Sequence, residues 1–275
     1  KCGICVSIGF YFSEKTLSQR SVFFICIFGV FIATLFLYIY TLAPTFLWSD
    51  SSKLALRVYN REFTGLKFGD HSLHSFCGFA FSYLPLSFAY TQHLMSAVFS
   101  AGAVALVAAI IFRLTGSFFP AIAGAVALTV SQSFWLYAVI TETYSLLNFL
   151  LALMLYIALA AESGENKNYY YLLVFLCGLT FSLHGLLLLF IPCFLIIIYS
   201  GKFRSLVFSR NLVLLILAFI IGGSQVFIFN KPNIFSPNDF ILQFNKTTFI
   251  HYHYFGGQLN KILKETTKYP AYLFY

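Results

Sequence analysis

The residues able to do chemistry in this chain are few, and they sit mainly beside apolar stretches. Asp50 lies in Trp48-Ser49-Asp50-Ser51-Ser52, just past the first apolar stretch. A carboxylate there can serve as a general base. It can equally act as an N-cap, accepting from the free N–H groups of a following amphipathic helix. Leu54, Leu56, Val58 and Tyr59 would form the apolar face of that helix. Glu142 has only Thr141, Thr143 and Tyr144 as polar company between two apolar segments. An ionised carboxylate at mid-bilayer costs ~3 kcal/mol or more. Glu142 is therefore expected in a cavity, in a pair, or as a loop-end charge marking the membrane surface.

The histidines come next. His71 and His74 are spaced i, i+3, as many metal-ligand pairs are, whereas His251 and His253 are spaced i, i+2, which suits an extended segment. No carboxylate stands at a fixed spacing from either pair, so neither is a metal signature. Interfacial histidines in aromatic surroundings are the plainer reading. His184 lies inside an apolar run. It is either a satisfied packing residue or an intramembrane functional group. The chain has no G-x-G-x-x-G after a strand, no Walker loop, no H-E-x-x-H and no G-x-S-x-G. Asn245-Lys246-Thr247 is a formal glycosylation sequon.

The elements that must hold these residues are membrane helices. Sixty per cent of the 275 residues are hydrophobic and 9% are charged. An ordinary soluble domain carries about 25% charged residues, so this chain cannot cover a soluble globule. The net charge of +8 fits Lys and Arg gathered in cytoplasmic loops facing anionic lipid. Nucleic-acid binding is excluded as a reading, because no basic run is interleaved with stacking rings outside the apolar segments. Of the six cysteines, Cys2 and Cys5 form one C-x-x-C pair without a second pair or nearby histidines. That is too little for a metal or redox site.

Ser21–Ala43 is an uncharged 23-residue stretch ended by Pro44, read as a retained membrane helix rather than a signal peptide. Ser72–Phe112 is apolar for 41 residues, broken by Pro85. It is either two spans, or a re-entrant or interfacial segment over Ser72–Leu84 followed by one span from Phe88. Further spans are expected over Phe118–Ala138 and Thr143–Ala161, and the 31 residues Tyr169–Tyr199 suit two short helices hinged near His184–Gly185. Leu212–Phe229 is the last span. With Ser72–Leu84 re-entrant there are seven spans, and Lys15/Arg20, Arg113, Lys167 and Lys202/Arg204/Arg210 share one side. The positive-inside rule makes that side cytoplasmic. Asp50, His71, His74, Glu142, the His184 end, Asp239, His251 and His253 then face outward. The eight-span alternative separates Glu142 from Asp50. The expected architecture is an all-α integral membrane bundle of about seven transmembrane helices. It has a cytoplasmic segment 1–20, a core 21–229 with an outer loop 44–87, and an outer-side tail 230–275 that reads as truncated.

Several landmarks together resemble a known family. Tyr40-Thr41-Leu42-Ala43-Pro44 followed by Ser49-Asp50-Ser51 looks like its opening motif, and His71-Ser72-Leu73-His74 like its His/Pro segment. Leu94-Met95-Ser96-Ala97 resembles the start of its second helix. Phe134-Trp135 through Glu142-Thr143-Tyr144-Ser145-Leu146 is the most specific match, and Gly178 to His184 and Pro237–Tyr254 are looser ones. Over about residues 25–255 the chain thus resembles the bacterial branch of the protein O-mannosyltransferase-like membrane proteins, in the GT-C glycosyltransferase superfamily. It departs from the pattern at Ser49, where the family usually has Gly, at Lys53, where it has an acid, and at Ser72 and Ser75, where it has prolines.

The resemblance implies an inverting glycosyltransferase with a GT-C-like core in a bacterial inner membrane. Its donor would be a polyprenyl-phosphate sugar and its acceptor a hydroxyl on protein or glycan. Asp50 would be the general base. Glu142 would position donor or acceptor, or hold a divalent cation. His74 or Arg57 would offset the charge of the departing phosphate, and His71, Trp135, Tyr144 and His184 would complete the substrate site. Two other classes stay open: a transporter or lipid-linked-glycan flippase without bond chemistry, and an inactive membrane scaffold, which the departures around Asp50 and His71 favour. Acids buried mid-span on several helices would mark the transporter.

Overall fold

A computed structural model describes residues 17–46, 50–61, 71–162, 168–184, 187, 189–193 and 211–224, with residues 17–20 and Ser182 described by backbone alone. No strand occurs among the described residues. The helices are α1 (Leu17–Tyr40), α2 (Asp50–Tyr59), α3 (Ser72–Phe81), α4 (Phe88–Thr115), α5 (Phe118–Thr129), α6 (Gln132–Val139), α7 (Thr143–Glu162), α8 (Asn168–Leu183) and α9 (Asn211–Gly223). The expected tail, its histidines His251 and His253, the sequon and the Cys2/Cys5 pair all lie outside the described residues.

Three helices are long and apolar enough to cross a membrane: Ser21–Tyr40, α4 and α7. About 20 residues at 1.5 Å each match the hydrocarbon thickness. The pair α5 and α6 makes a fourth candidate, and α8 and α9 are shorter apolar helices. The described residues therefore hold three or four such spans; the expected seven were counted over the whole chain and include residues outside those described. The outer surface is apolar, as lipid requires: α1 exposes Phe24, Ile25, Phe28 and Phe36, α5 exposes Phe119 and Val126, and α9 exposes Val213 and Ile221. Rows of exposed large apolar side chains on successive helices are not tolerated in water. The chain is an integral membrane protein.

The central helix is α4. It is lined with small residues, including Ala97, Ser100, Ala101, Ala103, Ala105, Ala108 and Ala109, all buried. Small side chains let neighbouring helices approach closely, which is how apolar helices associate in lipid. Near its start α4 packs with Tyr38 of α1, and near its end Phe112 meets Phe23 of α1 and Phe118 of α5. Helix α7 runs parallel to α4: the two are bonded at their starts through His93–Thr141 and at their ends through Arg113–Leu159. Helix α8 returns antiparallel, with Tyr170 donating to the carbonyl of Ala161 and the far end of the helix reaching Tyr144.

Ser72–Phe112 divides as the re-entrant reading expects. Helix α3 has ten residues, about 15 Å, too short to cross, and the chain turns at 82–87 before the 28-residue α4. The stretch Phe118–Ala138 is a correction: instead of one helix it bends by 66° between α5 and α6. The bend frees backbone groups that lipid cannot satisfy. Tyr38 of α1 supplies a partner, its hydroxyl donating to the carbonyl of Thr129 at 3.1 Å. Thr34 and Thr129 approach through their hydroxyls at 3.4 Å. Helix α8 ends at Leu183, beside the expected hinge at His184–Gly185. Gly178 lies where α8 meets α9: a Cβ there would run into the backbone at Phe219, and one at Gly222 would strike the backbone at Phe175.

Candidate functional site

Asp50 opens α2 and stands in its first helical turn. There its charge still complements the free N–H groups and the helix dipole. The buried face of α2 is Ser51, Leu54, Ala55 and Val58, a helical i, i+3, i+4, i+7 stripe. Leu56 and Tyr59, expected on that face, are exposed. This rotation leaves Asp50 and Lys53 toward solvent, joined at 3.2 Å with side chains 68% and 75% exposed. Arg57 is half-buried in the last turn of α2, two turns from Asp50 and on the same side of the helix.

Glu142 sits in the break between α6 and α7. Its backbone N–H donates to Ser96 Oγ of α4 at 3.4 Å. Burial pushes its carboxyl above the usual range, the nearby Asp50 charge adds to this, and the backbone N–H of Thr143 works against it. The charge of Asp50 is thus felt at Glu142. Ser145, one turn on, donates to the carbonyl of Tyr137 at 2.6 Å, closing the corner between α6 and α7.

An aromatic row runs beside these acids. The rings of Tyr137 and Tyr144 lie 4.9 Å apart, Tyr144 and His184 lie 5.6 Å apart, and His184 stacks on His71 at 5.5 Å. His71 precedes α3 with φ 52° and ψ 42°, a left-handed conformation uncommon for any residue but glycine. Its Nδ1 is 2.6 Å from the carbonyl of Leu183. A carbonyl only accepts, so that nitrogen carries the proton, and the contact ties α3 to the end of α8. Burial and the neighbouring His71 both push His184 toward the neutral form. His74 is fully buried, with no hydrogen-bond partner for either ring nitrogen among the described residues. Burial, and then His71, lowers its pKa to about 3.

The structure thus brings Asp50, Glu142, Tyr144, His184 and His71 together, with His74 enclosed behind His71. Trp135 is set apart by its bonding: its indole N–H donates to Thr41 Oγ1 at 3.0 Å, where the chain leaves α1. Tyr137, which the sequence reading missed, contributes the ring in its place. His93 was missed as well. It is fully buried on α4 and bonded to both Thr45 and Thr141. Its signal in the sequence is that of His184, an ionisable side chain inside an apolar run.

The family model described as the protein O-mannosyl-transferase TMEM260 N-terminal domain matches residues 71–207. The match bears out the O-mannosyltransferase-like resemblance, and it takes in His71, His74, Trp135, Glu142, Tyr144 and His184. Asp50 and Arg57 precede it. No curated protein and no solved structure matches the chain.

A divalent cation fits the described residues poorly. No three His, Cys, Asp or Glu side chains among them are grouped as metal ligands, and Asp50 and Glu142 alone would leave most of a hard cation's oxygen shell to other ligands.

Proposed function

We propose that the chain is a membrane glycosyltransferase that moves a sugar from a polyprenyl-phosphate donor to a hydroxyl acceptor on protein or glycan at the outer face. The acceptor oxygen attacks the anomeric carbon while Asp50 takes its proton. The bond from that carbon to the phosphate oxygen breaks on the opposite side, so the configuration inverts and polyprenyl phosphate leaves. Glu142 holds a proton more readily than an ordinary carboxyl and so can donate a hydrogen bond to a sugar or acceptor oxygen. The Tyr137–Tyr144–His184–His71 row offers ring faces and edges against which a sugar can lie. Arg57 offsets the charge of the departing phosphate. This reading places seven spans in the whole chain, with both acids outside.

What supports the proposal is a family match that spans Glu142 and the ring row, together with an Asp50 charge that reaches Glu142. Among the described residues every acid lies at a helix end or in a loop: Asp50 begins α2, Glu142 lies between helices, and Glu162 ends α7. That is not the mid-span pattern of a transporter. One observation favours the inactive-scaffold reading: Lys53 stands where the family has an acid, and it pairs with Asp50.

The test is sugar transfer from polyprenyl-phosphate mannose to a Ser/Thr peptide by the full chain in liposomes. Asp50→Asn should lower transfer at least about 10²-fold in a chain that still inserts; undiminished transfer overturns the mechanism. Single cysteines on a cysteine-free chain, Asp50→Cys and Glu142→Cys, should both react with an impermeant thiol reagent from outside. Labelling from opposite sides would remove the shared site.

A further inference from the structure

We infer that His93 is a positioning residue that clamps the segment leading to Asp50 against the loop carrying Glu142. The inference rests on reading those two acids as the working groups. His93 lies on α4, one turn before Ser96, and its side chain is fully buried. Its Nε2 is 3.3 Å from the carbonyl oxygen of Thr45, and its Nδ1 is 2.8 Å from Thr141 Oγ1. The carbonyl can only accept, so Nε2 carries the proton and Nδ1 keeps its lone pair for the hydroxyl of Thr141. One neutral imidazole, in one tautomer, therefore satisfies both segments at once. Thr45 stands five residues before Asp50, and Thr141 immediately precedes Glu142.

The surrounding contacts follow the same line. The N–H of Ala43 donates to the carbonyl of Val139 at 3.1 Å, Trp135 donates to Thr41 at 3.0 Å, and the ring of Phe46 meets the His93 imidazole edge-on at 5.3 Å. Ser96 accepts from the N–H of Glu142. Residues 41–46 are thus stitched to 135–142 from Trp135 onward, and His93 is the contribution of a third element, α4. A histidine serving only to fill space at this depth could be an apolar residue, with no buried polar atoms to satisfy. Here both nitrogens are spent on the segments flanking the two acids.

The test uses the full chain in lipid nanodiscs, with native cysteines replaced and nitroxides at Leu56→Cys on α2 and Leu136→Cys on α6. Both positions are exposed, and neither belongs to the proposed machinery. A narrow distance distribution is expected for the parent chain. His93→Phe, which keeps the ring but neither bond, should broaden it, and Thr141→Val should broaden it less. His93→Gln, whose amide nitrogen can still donate toward Thr45, should restore part of the narrowing. In the transfer assay His93→Phe should lower kcat about 10²-fold, the scale expected for ångström-level misplacement of a catalytic group, with KM nearly unchanged.

A distribution that stays narrow in both His93→Phe and Thr141→Val overturns the clamp. So does a broadened distribution with kcat intact. If His93→Phe does not insert, Thr141→Val decides alone, since it removes one hydroxyl and keeps the side-chain shape. Should Asp50→Asn leave transfer untouched, the reading of the acids fails, while the spin-label distances still report on the clamp.

Discussion

The two ends of the helix bundle use similar polar residues for different work. Where α4 and α7 begin, His93 bonds Thr45 and Thr141, Ser96 accepts from the N–H of Glu142, and Ser145 closes the corner between α6 and α7, so these polar groups hold the segments that flank Asp50 and Glu142. Where the same helices end, Arg113 reaches the carbonyl of Leu159 at 3.5 Å and lies 5.8 Å over the Tyr156 ring, and Tyr170 donates to Ala161. Those contacts close the last turn of α7, where carbonyls lack helical partners and a cation complements the dipole. A polar group that caps a helix can be replaced by another donor with little change elsewhere. A polar group that sets the distance between two acids cannot.

The largest effect should come from breaking this contrast at its centre. Asp50→Asn should reduce transfer at least 10²-fold, the lower range for losing a general base, while Arg113→Lys should leave kcat within about twofold. Steady-state kinetics on both variants checks this. Equal losses at the two ends would mean that the ends do not differ in kind.

The next effect concerns the scaffold that delivers His184 to the acid end. Gly178→Val should place a branched side chain against the α9 backbone and destabilise the fold by about 3 kcal/mol or more, as overpacking against backbone does. Gly29→Val on α1, where a Cβ meets nothing among the described residues, is the matched control and should change thermal unfolding in detergent little. Equal shifts for the two would sink the packing account of Gly178.

How far the sequence disclosed this arrangement depends on the kind of signal. Long apolar runs declare membrane helices, so α1, α4 and α7 were legible, and Pro85 with its neighbours marked the turn between α3 and α4. The bend at Thr129–Gln132 was not, because nothing at Val130-Ser131 breaks a helix outright. It is sustained by Tyr38 of another helix taking the Thr129 carbonyl, and such a contact is invisible to a linear reading. The face of α2 was misassigned because Leu56 and Tyr59 looked as apolar as Leu54, whereas the packed stripe includes Ser51 and Ala55. Among the candidate residues, Glu142, Tyr144, His71 and His184 stood out by chemical type, and the fold brings them together. Trp135 was named for its ring, yet its N–H fixes its role at Thr41.

A smaller effect should appear in the pH dependence of stability, and it would sharpen the contrast by showing which histidines are held neutral. The pKa of His74 falls from 6.5 to about 3 on folding. Between those values the unfolded chain binds a proton that the folded chain does not, so folding stability rises with pH across that window. The contribution is complete above about pH 6.5 and is lost progressively as pH falls toward 3. His184 is lowered in the same sense. Glu142 is raised, so over its own window it favours the folded state less as pH rises. His74→Leu should therefore flatten the acid limb of a melting-temperature profile, leaving a shallower slope from His184. An unchanged limb would mean that His74 gains a partner or solvent before the protein melts.

The smallest expected effect tests the departure at Lys53. Its ammonium sits 3.2 Å from Asp50, but both side chains are largely exposed, and exposed pairs contribute about 0–1 kcal/mol. Such a pair exchanges readily with water and competes weakly with an acceptor hydroxyl for the carboxylate. If the active reading holds, Lys53→Ala should therefore raise kcat no more than about fivefold, the rate equivalent of ~1 kcal/mol, and added salt should reduce the difference by screening the pair. A far larger gain, bringing a silent parent chain to measurable turnover, would mean that Lys53 holds Asp50 out of action. The acid end would then be built like a working site but kept closed by one lysine.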